Sequence, residues 1–483
     1  MKKAILILAS LLTLAGCSCG RKGESSKSSF PEYPDKEYRP IKSVGVIKDL
    51  SDDELLETVQ RQTFRYFWDF AHPVSGLARE RSNTVKGASY WDYINEVYNE
   101  PNFSENTYGE ESCAIGGSGF GIMSMLVAVE RGWITKEAAL ERLHKIVEFL
   151  YQAETFHGAF PHFMNGSTGK PVTFGRLDEG GDIVETSYMF MGLLSARAYF
   201  SGDTPLEVYL RKKISEMWNT MNWAWYEKDG VLYWHWCPNQ GFDMNFPIRG
   251  WNECLITYIM AASSPYHPIS REVYEHCWKA PGYVCDKEYY GIKLPLGDWG
   301  EALGGPLFFE QYSFMGIDPN GLKDDHTDYY EQGRAHTLIQ RAYAIENPKG
   351  FKGYGSDCWG FTAGDSNKGY LAHDASNDCG VIQPTAALSS MPYTPTESME
   401  ALKHYYYDLG DKLWREYGFV DGFNPDTGWT SDTFIAIDQG PIINMIENYR
   451  TGMLWKIFMN IPDVQRGLKR LGFSSPYLKN NDK

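Results

Sequence analysis

Acidic residues crowd into one short stretch of the chain, residues 177–200. Asp178 and Glu179 come first, a Gly-Gly pair follows, and Asp182 and Glu185 come next. After these acids the side chains are mostly apolar or small, which predicts a buried helix preceded by a loop that brings the acids to its start. Soluble proteins seldom bury carboxylates without pairing or using them, so this stretch is a candidate for chemistry.

Further acids occur at or within apolar stretches elsewhere in the chain. Glu253 follows a loop dense in aromatic residues, and Asp438 comes just before an apolar run near the carboxyl-terminal end. Both positions match the start of a buried helix, as Asp182 does. Glu447 lies inside the last of these runs, where pairing with Arg450 one helical turn later is the favoured interpretation.

Each acid also has a structural interpretation. Asp182 and Glu185 have the spacing of a capping box with Asp in place of Ser or Thr, so capping and catalysis explain this pair equally well. Asp438 could cap the helix that Pro441 helps to start. Glu253 has no evident capping role and no basic neighbour after it, so it is the acid that structure explains least.

Glycoside hydrolysis is the chemistry that this set of acids best fits, because it needs one protonated and one ionised carboxyl group. Aromatic neighbours would raise the pKa of Glu253 by desolvation, whereas an acid at a helix amino terminus is favoured as the anion. We therefore expect Glu253 to donate the proton. The base is expected to be Asp178, Asp182 or Asp438, and the mechanism requires Asp182 and Glu253 to face one groove.

Aromatic residues make up 15% of the chain, with 15 Trp and 32 Tyr. A flat apolar face with a hydrogen-bonding edge suits the surface of a sugar, although an aromatic core must account for most of these residues. His162 beside its aromatic run is either a sugar ligand or a structural histidine. The expected sugar-binding residues are His162, Trp234, Trp236, Trp251, Trp359 and Trp429.

The elements that must position these acids alternate along the chain. A nearly uncharged apolar segment is followed by an amphipathic one about six times, beginning with residues 112–131 and 134–152. This pattern indicates inner helices that are buried on all sides and outer helices with one solvent-exposed face. It predicts an all-α fold, the (α/α)6 toroid of six helical hairpins. The inner helices should start on one side of the ring. Residues 230–236 (GVLYWHW) predict a small hairpin in a loop.

The charge, the cysteine spacing and the motifs of the sequence exclude several classes of function. The formal net charge of −16 argues against a nucleic-acid partner and is compatible with a neutral substrate. Nine cysteines show no zinc spacing, so buried free thiols are expected, with a disulfide between Cys277 and Cys285 as an alternative. No phosphate loop, dinucleotide fingerprint or Ser-His-Asp motif occurs, so neither a cofactor nor a metal is expected. We expect a monomer.

The amino-terminal residues have the form of an export signal. Lys2 and Lys3 precede an apolar run that is too short to span a membrane, and the run ends in Leu-Ala-Gly-Cys17. This ending resembles a bacterial lipobox, with an ordinary signal peptide cut nearby as the alternative. Cys17 would then carry the lipid, and the lipid would be the protein's only contact with a membrane.

The expected organisation has three parts. Residues 1–16 are the signal, residues 17–45 a flexible tether rich in Ser, Lys, Gly and Pro, and residues 46–478 the catalytic domain. The mature protein is expected in the periplasm or on the outer membrane and cell surface.

Several long stretches carry a family resemblance. They are VERGWITKEAA, GAFPHFMNGSTGK, DEGGDIVET, GWNECLITYIMAASSPYHP, PLFFEQYSFMGIDP and AIDQGPIINMIENYRTG. From about residue 50 to 473 the sequence resembles the bacterial glucoamylase-like domain, and more closely the endo-β-1,2-glucanases of glycoside hydrolase family 144. The resemblance implies an (α/α)6 barrel and an inverting hydrolase that cuts β-1,2-glucan within the chain.

The resemblance also implies that the acids of the site are Asp178, Asp182, Glu185 and Glu253. One departure is Asp182-Ile-Val-Glu185-Thr186 in place of a Ser-Thr-x-Asp-Thr run, which moves a carboxyl group by about one methylene. Related domains occur in cyclic β-1,2-glucan synthases and phosphorylases. An α-glucan hydrolase, a phosphorylase and a non-catalytic glycan-binding lipoprotein therefore stay as alternatives.

Overall fold

The computed structural model describes residues 45–82, 111–173, 177–279, 284–297 and 302–478. The predicted signal, Cys17 and all of the tether except residue 45 lie outside these ranges. Within them, no helix combines the length and the apolar character needed to cross a membrane.

Helices dominate the described part of the chain. The α-helices are α1 Asp52–Trp68, α2 Ile115–Glu130, α3 Lys136–Gln152, α4 Ile183–Tyr199, α5 Pro205–Thr220, α6 Leu255–Ser263, α7 Arg271–Val273, α8 Tyr329–Glu346, α9 Pro384–Leu388, α10 Pro395–Lys403, α11 Gly410–Leu413, α12 Ala436–Thr451, α13 Met453–Met459 and α14 Pro462–Leu471. Short 3-10 and π segments add Trp223–Tyr226, Tyr274–Trp278, Ala302–Gly304, Leu307–Glu310, Ser313–Met315 and His404–Asp408.

The strands are short and belong to the connections between helices. They are β1 Ser112–Ala114, β2 Phe163–Asn165, β3 Pro171–Val172, β4 Gly181–Asp182, β5 Glu227–Lys228, β6 Val231–Leu232, β7 His235–Trp236, β8 Val284–Tyr289, β9 Ile292–Leu296, β10 Ala363–Ser366, β11 Gly369–Ala372, β12 Trp414–Arg415, β13 Gly418–Phe419, β14 Phe423–Asn424 and β15 Trp429–Thr430. Across the described ranges these strands form seven sheets, and all of them pair their strands antiparallel.

Six inner segments close into a ring. Helix α2 packs against α4 on one side and α12 on the other, α4 packs against α6, and α9 packs against α12. The turns at 307–315 complete the circle, because Ser313 accepts the Ile256 N–H at 3.0 Å and Gln311 donates to the Ala386 carbonyl at 2.9 Å. This arrangement confirms the predicted (α/α)6 toroid.

The two layers differ in side-chain pattern, as predicted. Every residue of α6 is buried, and so is every residue of α2 from 115 to 128. In the outer helix α3 the buried side chains recur three and four residues apart on one face, at Leu140, Leu143, Ile146 and Leu150 among others. The inner ring is therefore the core of the domain, and the outer ring shields it from water.

The fourth inner segment is not an α-helix. Residues 307–315 form two short 3-10 turns instead, between Pro306 and Gly316. A stretch of nine residues with helix-breaking neighbours is too short to gain from α-helical propagation. Its buried side chains hold it in place instead, and Glu310 accepts the indole N–H of Trp251 at 2.9 Å.

Helix α1 begins at the predicted capping box, but the ion pairs that bind it to the ring are not the predicted ones. Ser51 and Glu54 form the predicted capping box at the start of α1. Glu447 does not pair with Arg450, so that prediction is wrong. Arg131 binds Glu447 at 2.9 Å, whereas Arg450 reaches across to Glu57 of α1 at 2.8 Å. Arg131 also lies 3.7 Å from Glu57, so both arginines bind α1 to the ring.

Two loops that precede inner helices are joined by the pairing of β4 with β7. Gly181 lies opposite Trp236, and Asp182 lies opposite His235. The sequence predicts one hairpin over 230–236, but only β6 belongs to a hairpin, with β5, and β7 pairs with the distant β4. A long-range pairing of two residues per strand leaves no periodic signal in the sequence.

The cysteines of the described residues are free thiols. Cys277 and Cys285 do not form a disulfide, because each sulfur bonds elsewhere. The Cys277 thiol donates to the Ile248 carbonyl at 3.3 Å, and the Cys285 thiol donates to the Leu294 carbonyl at 3.0 Å.

Helices α2 and α4 pack closely against each other at glycine residues. A Cβ atom at Gly119 would overlap the backbone of Tyr188 and Met189, and one at Gly192 would overlap the backbone of Gly119. The two helices therefore touch backbone to backbone, which fixes the position of the acids at the start of α4.

Gly119→Ala is expected to destabilise the protein by on the order of 1–3 kcal/mol or more, because the added methyl group forces α2 and α4 apart. Denaturant unfolding measures the loss. Gly355→Ala is the control, since its Cβ would meet only Asp357 Oδ1 at 3.6 Å. Equal stability of the two variants would contradict this packing.

Candidate active site

Asp182 fixes the start of α4. Its Oδ1 accepts the backbone N–H groups of Val184 and Glu185, both at 2.9 Å. Its Oδ2 accepts the indole N–H of Trp234 at 2.8 Å and lies 3.1 Å from Nδ1 of His162. Both oxygens are engaged and the side chain is 1% exposed, so Asp182 serves as the helix cap and holds its neighbours in place.

Glu185 points into the site and not back to the cap. The backbone N–H of Asp182 donates to the Phe160 carbonyl, so the predicted capping box does not form. Glu185 Oε2 accepts the N–H of Gly116 at 2.7 Å, and Oε1 lies 4.0 Å from Nε2 of His162. Burial raises the pKa of Glu185 above its usual value, while the charge of His162 opposes this rise.

His162 supplies positive charge between these acids. Burial alone would lower its pKa, but Glu185, Asp182 and Asp178 outweigh burial and raise the pKa of His162 to about 10. His162 is therefore a cation at neutral pH. Its contribution to stability is full below the unfolded pKa of about 6.5 and is lost only as the pH rises through about 10.

Asp178 lies in the loop before β4 and is also buried. Its Oδ1 is 3.1 Å from Nε2 of His235, which is buried and lies opposite Asp182 in the β4–β7 pairing. The loop 221–254 thus contributes Trp234 and His235 to the acids that precede α4. Sequence reasoning missed His235, and the alternation of GVLYWHW gave no reason to separate it from its neighbours.

Glu253 lies just before α6 with its side chain half-buried. Its backbone carbonyl accepts the hydroxyl groups of Tyr188 at 2.9 Å and Ser313 at 2.6 Å. Burial raises the pKa of Tyr188 well above its usual value, and Cys254, Glu253, Glu185 and Asp182 add to the rise. The phenol of Tyr188 is therefore within electrostatic range of acids that precede α4 and α6, and the role of Glu253 as the proton donor stays a prediction.

Asp438 reaches the same end of the ring from α12. The helix begins at Ala436, after Ile435, and Asp438 makes no capping bond, so the capping alternative is wrong. Burial raises the pKa of Asp438 well above its usual value, and the charge of Asp421 adds to the rise. Sequence reasoning missed Asp421, whose signal is an acid among apolar residues in GFVDGF.

Tyr312 lies between the acids that precede α4 and α6 and the acid Asp438 of α12. Its ring lies 5.4 Å from that of Phe120 and 5.9 Å from that of Tyr188. Burial raises the pKa of Tyr312 well above its usual value, and the charges of Asp438 and Glu253 both add to it. The phenol therefore lies within electrostatic range of both carboxyl groups.

Two of the predicted sugar-binding tryptophans flank this site. Trp234 stacks on Phe246 at 5.0 Å, and Phe246 is 47% exposed. Trp236 packs edge-on against His157 at 4.7 Å and is half-buried. Both rings belong to the loop that carries His235, so they form one wall beside Asp182.

The remaining tryptophans lie elsewhere. Trp251 and Trp359 are both 0% exposed, and Trp251 donates to Glu310 inside the core. Their burial contradicts the prediction that they bind a sugar. Trp429 is half-buried on β15 and pairs with Asn424, so its contact with substrate stays a prediction.

The fold and the grouped carboxyl groups define a helical-toroid enzyme of the glycoside hydrolase class. A family model described as "Glycoamylase: Putative glucoamylase" matches residues 245–462. A Bacteroides uniformis protein described as a "putative glucoamylase" is 54% identical, with a TM-score of 0.84, over 90% of this chain and 100% of its own.

Two further relatives have named activities. An endo-β-1,2-glucanase from Chitinophaga pinensis, in complex with sophorotriose and glucose, is 49% identical over 89% of this chain and 100% of its own, with a TM-score of 0.83. An exo β-1,2-glucooligosaccharide sophorohydrolase (non-reducing end) from Parabacteroides distasonis is 42% identical over 446 residues, or 87% of this chain. The chain spans 58% of the length of that relative.

The chain therefore belongs to the glucoamylase-like glycoside hydrolases, and within them to family 144. An endo-β-1,2-glucanase from Talaromyces funiculosus is only 11% identical, with a TM-score of 0.57, and shares the fold alone.

Trp234→Phe is expected to lower stability by roughly 1.5–3 kcal/mol, because it removes a hydrogen bond to the buried charge of Asp182 and keeps the ring. Denaturant unfolding measures the change. Trp225→Phe is the matched control, since Trp225 is 41% exposed. If both variants unfold together, the bond to Asp182 contributes nothing.

Proposed function

We propose that this protein is an endo-β-1,2-glucanase that cuts β-1,2-linked glucan within the chain and releases short oligosaccharides. Its relation to the Chitinophaga pinensis enzyme, over the whole of that chain, supports the substrate and the reaction. The observation that carries the proposal is that Glu253 and Asp438 both lie at the starts of inner helices of the ring, where the Tyr188 hydroxyl donates to the Glu253 carbonyl. Hydrolysis with inversion needs a carboxyl group on each side of the scissile bond.

In the proposed mechanism Glu253 gives its proton to the glycosidic oxygen as the bond to the anomeric carbon breaks. A water molecule attacks that carbon from the opposite face, and Asp438 accepts the proton that the water loses, so the configuration inverts. Asp182 takes no part in these transfers because hydrogen-bond donors already occupy its carboxylate. Glu185 and His162 are left to bind sugar hydroxyl groups.

A second candidate is an exo-acting sophorohydrolase. The Parabacteroides distasonis relative has this activity in its name, and it is 42% identical to this chain. The endo-acting relative is more similar and is covered over its full length, which favours the first candidate.

Incubation with linear β-1,2-glucan is expected to release a ladder of short oligosaccharides from the first minutes, because an endo-acting site accepts internal bonds. Chromatography sizes the products, and proton NMR at early times follows the anomer, which is expected to be the inverted one. A single disaccharide product would favour the exo-acting candidate. Cleavage of an α-glucan only, or turnover that requires phosphate, would overturn the proposal.

Glu253→Gln is the variant that tests the proton donor. It is expected to lower kcat by at least about 100-fold while the unfolding midpoint stays unchanged, because a general acid contributes about that factor. Glu179→Gln is the control, since Glu179 is an exposed acid next to Asp178. If the wild type binds the glucan without turnover, the protein is a glycan-binding lipoprotein instead.

We also propose that the protein is exported and anchored through a lipid on Cys17, in the periplasm or on the cell surface. The basic start, the short apolar run and the Leu-Ala-Gly-Cys ending support this location. Metabolic labelling with palmitate is expected to mark the wild type and not Cys17→Ser, and only the wild type should fractionate with membranes. Labelling of both forms would contradict the site.

A further inference from the structure

Trp225 is the most exposed tryptophan of the residues that the structure describes, at 41%. Its ring stacks on the imidazole of His157, with the ring centroids 3.6 Å apart and the planes 17° from parallel. Trp236 stands across this stack, 5.6 Å from the Trp225 ring at 90° and 4.7 Å from the His157 ring at 73°. Because His157 covers one face of the Trp225 indole, the opposite face is open to solvent. These three rings are called the aromatic platform below.

Hydrogen bonds fix the platform in place. Trp225 lies in the 3-10 turn Trp223–Tyr226, whose first and last side chains are buried while the two between them are exposed. The backbone N–H of Asn222 donates to the His157 carbonyl at 2.9 Å, and the hydroxyl of Tyr226 donates to the carbonyl of the residue before His157 at 2.7 Å. The turn and the loop 153–162 are thus joined on both sides of the stacked rings, so the rings are positioned before any ligand binds.

The backbone beneath the platform is strained. His157 has a φ of 53°, in the left-handed region that favours glycine. The next residue, Gly158, has a φ of 89°, and a Cβ atom there would overlap the backbone of Met221. Side chains held in this conformation are concentrated at binding and catalytic sites. Here the strained residue is the one whose ring supports the exposed indole.

The platform is continuous with the wall of the active site. Trp236 belongs to β7, which pairs with β4 directly before α4. Trp234, whose indole donates to Asp182 at 2.8 Å, is two residues away, which is at most about 7 Å of extended chain. The loop 153–162 contains both His157 and His162, and Nδ1 of His162 lies 3.1 Å from Asp182. Both loops that build the platform therefore also build the site.

The chemistry of the platform suits a neutral sugar ring. Burial lowers the pKa of His157 from its ordinary value, so its three rings carry no charge at neutral pH. An open indole face can cover the C–H face of a pyranose ring and leave the sugar hydroxyl groups in water. A glucan that is cut at an internal bond continues past the acids, so the nearest such ring belongs to the substrate itself.

We propose that the aromatic platform is a distal subsite that holds a glucose unit of the β-1,2-glucan chain outside the group of acids, with its pyranose ring stacked on the open face of Trp225. The proposal rests on the proposed function, in which the chain is cut internally. The platform takes no part in breaking the bond and binds the ground state and the transition state equally well. It therefore lowers KM for chains long enough to reach it and leaves kcat unchanged.

Trp225→Ala is expected to raise KM for long linear β-1,2-glucan by at least about fivefold with kcat unchanged, because an aromatic anchor contributes at least that factor to binding. KM for the shortest oligosaccharide that the enzyme cleaves is expected to stay the same, because that substrate does not reach the platform. Trp225→Phe keeps a flat ring and is expected to restore most of the affinity. An unchanged KM for the long glucan, or an equal rise for the shortest substrate, would overturn the proposal.

Tyr449→Ala is the matched control. Tyr449 is another exposed aromatic residue, at 43%, and it lies near the end of α12. It follows Asp438 by 11 residues, which places it about 16 Å further along the helix, away from the acids. Its KM for both substrates is expected to match that of the wild type. A rise equal to that of Trp225→Ala would show that loss of any exposed ring has this effect, which would overturn the subsite.

Affinity electrophoresis in gels that contain linear β-1,2-glucan measures binding without turnover. In the Glu253→Gln background, addition of Trp225→Ala is expected to reduce the retardation of the protein relative to a gel without glucan. Equal retardation with and without Trp225 would overturn the platform while the proposed function stands. If the wild type cleaves no β-1,2-glucan, the proposed function fails. The gel comparison of the wild type with Trp225→Ala then decides the platform alone, and equal migration of the two would overturn it.

Discussion

The hydrogen bonds of Asp182 are the interaction on which the rest of the site depends. One buried carboxylate accepts two N–H groups of α4 and the indole of Trp234, and it faces the ring of His162. These groups come from α4 and from the loops before α4 and α6. Because each bond involves a charge, breaking the set would leave a buried anion without compensation, so the loops stay together.

A buried site with several acids needs positive charge or protons to be stable. Near α4 the positive charge comes from His162, whose raised pKa keeps it protonated beside Glu185 and Asp182. Near α12 the cation Arg81 is shared by Glu80 and Asp365, and burial with the charge of Asp421 raises the pKa of Asp438, which favours its neutral form. A cation thus stabilises the charged acids near α4, whereas near α12 a raised pKa favours a neutral carboxyl group. Such a difference in surroundings is how two carboxyl groups come to differ in protonation.

The alternation of apolar and amphipathic segments was enough to predict the ring, because helical periodicity is set by burial along each segment. It also placed Asp182 and Glu253 at the ends of buried helices, where the ring brings acids together. Local sequence could not separate Trp234 from Trp251, since both lie in the same aromatic-rich loop. Only the pairing of β4 with β7 decides that one indole meets Asp182 and the other meets Glu310. Asp421 was missed because Asp438, whose pKa it helps to raise, is 17 residues away and on another element.

Two of the buried polar groups that lack protein partners lie at the end of the ring that carries the acids. The hydroxyl of Tyr312 and the side-chain amide of Gln383 are buried and have no hydrogen-bond partner among the described residues. Each such group costs about 1–3 kcal/mol of stability, and a core selected for stability alone would replace it with an apolar side chain. Gln383 directly precedes α9 and Asp438 lies in the first turn of α12, so these groups share the end of the ring that carries the acids. Their polarity is therefore better explained by function at this end of the ring than by its packing.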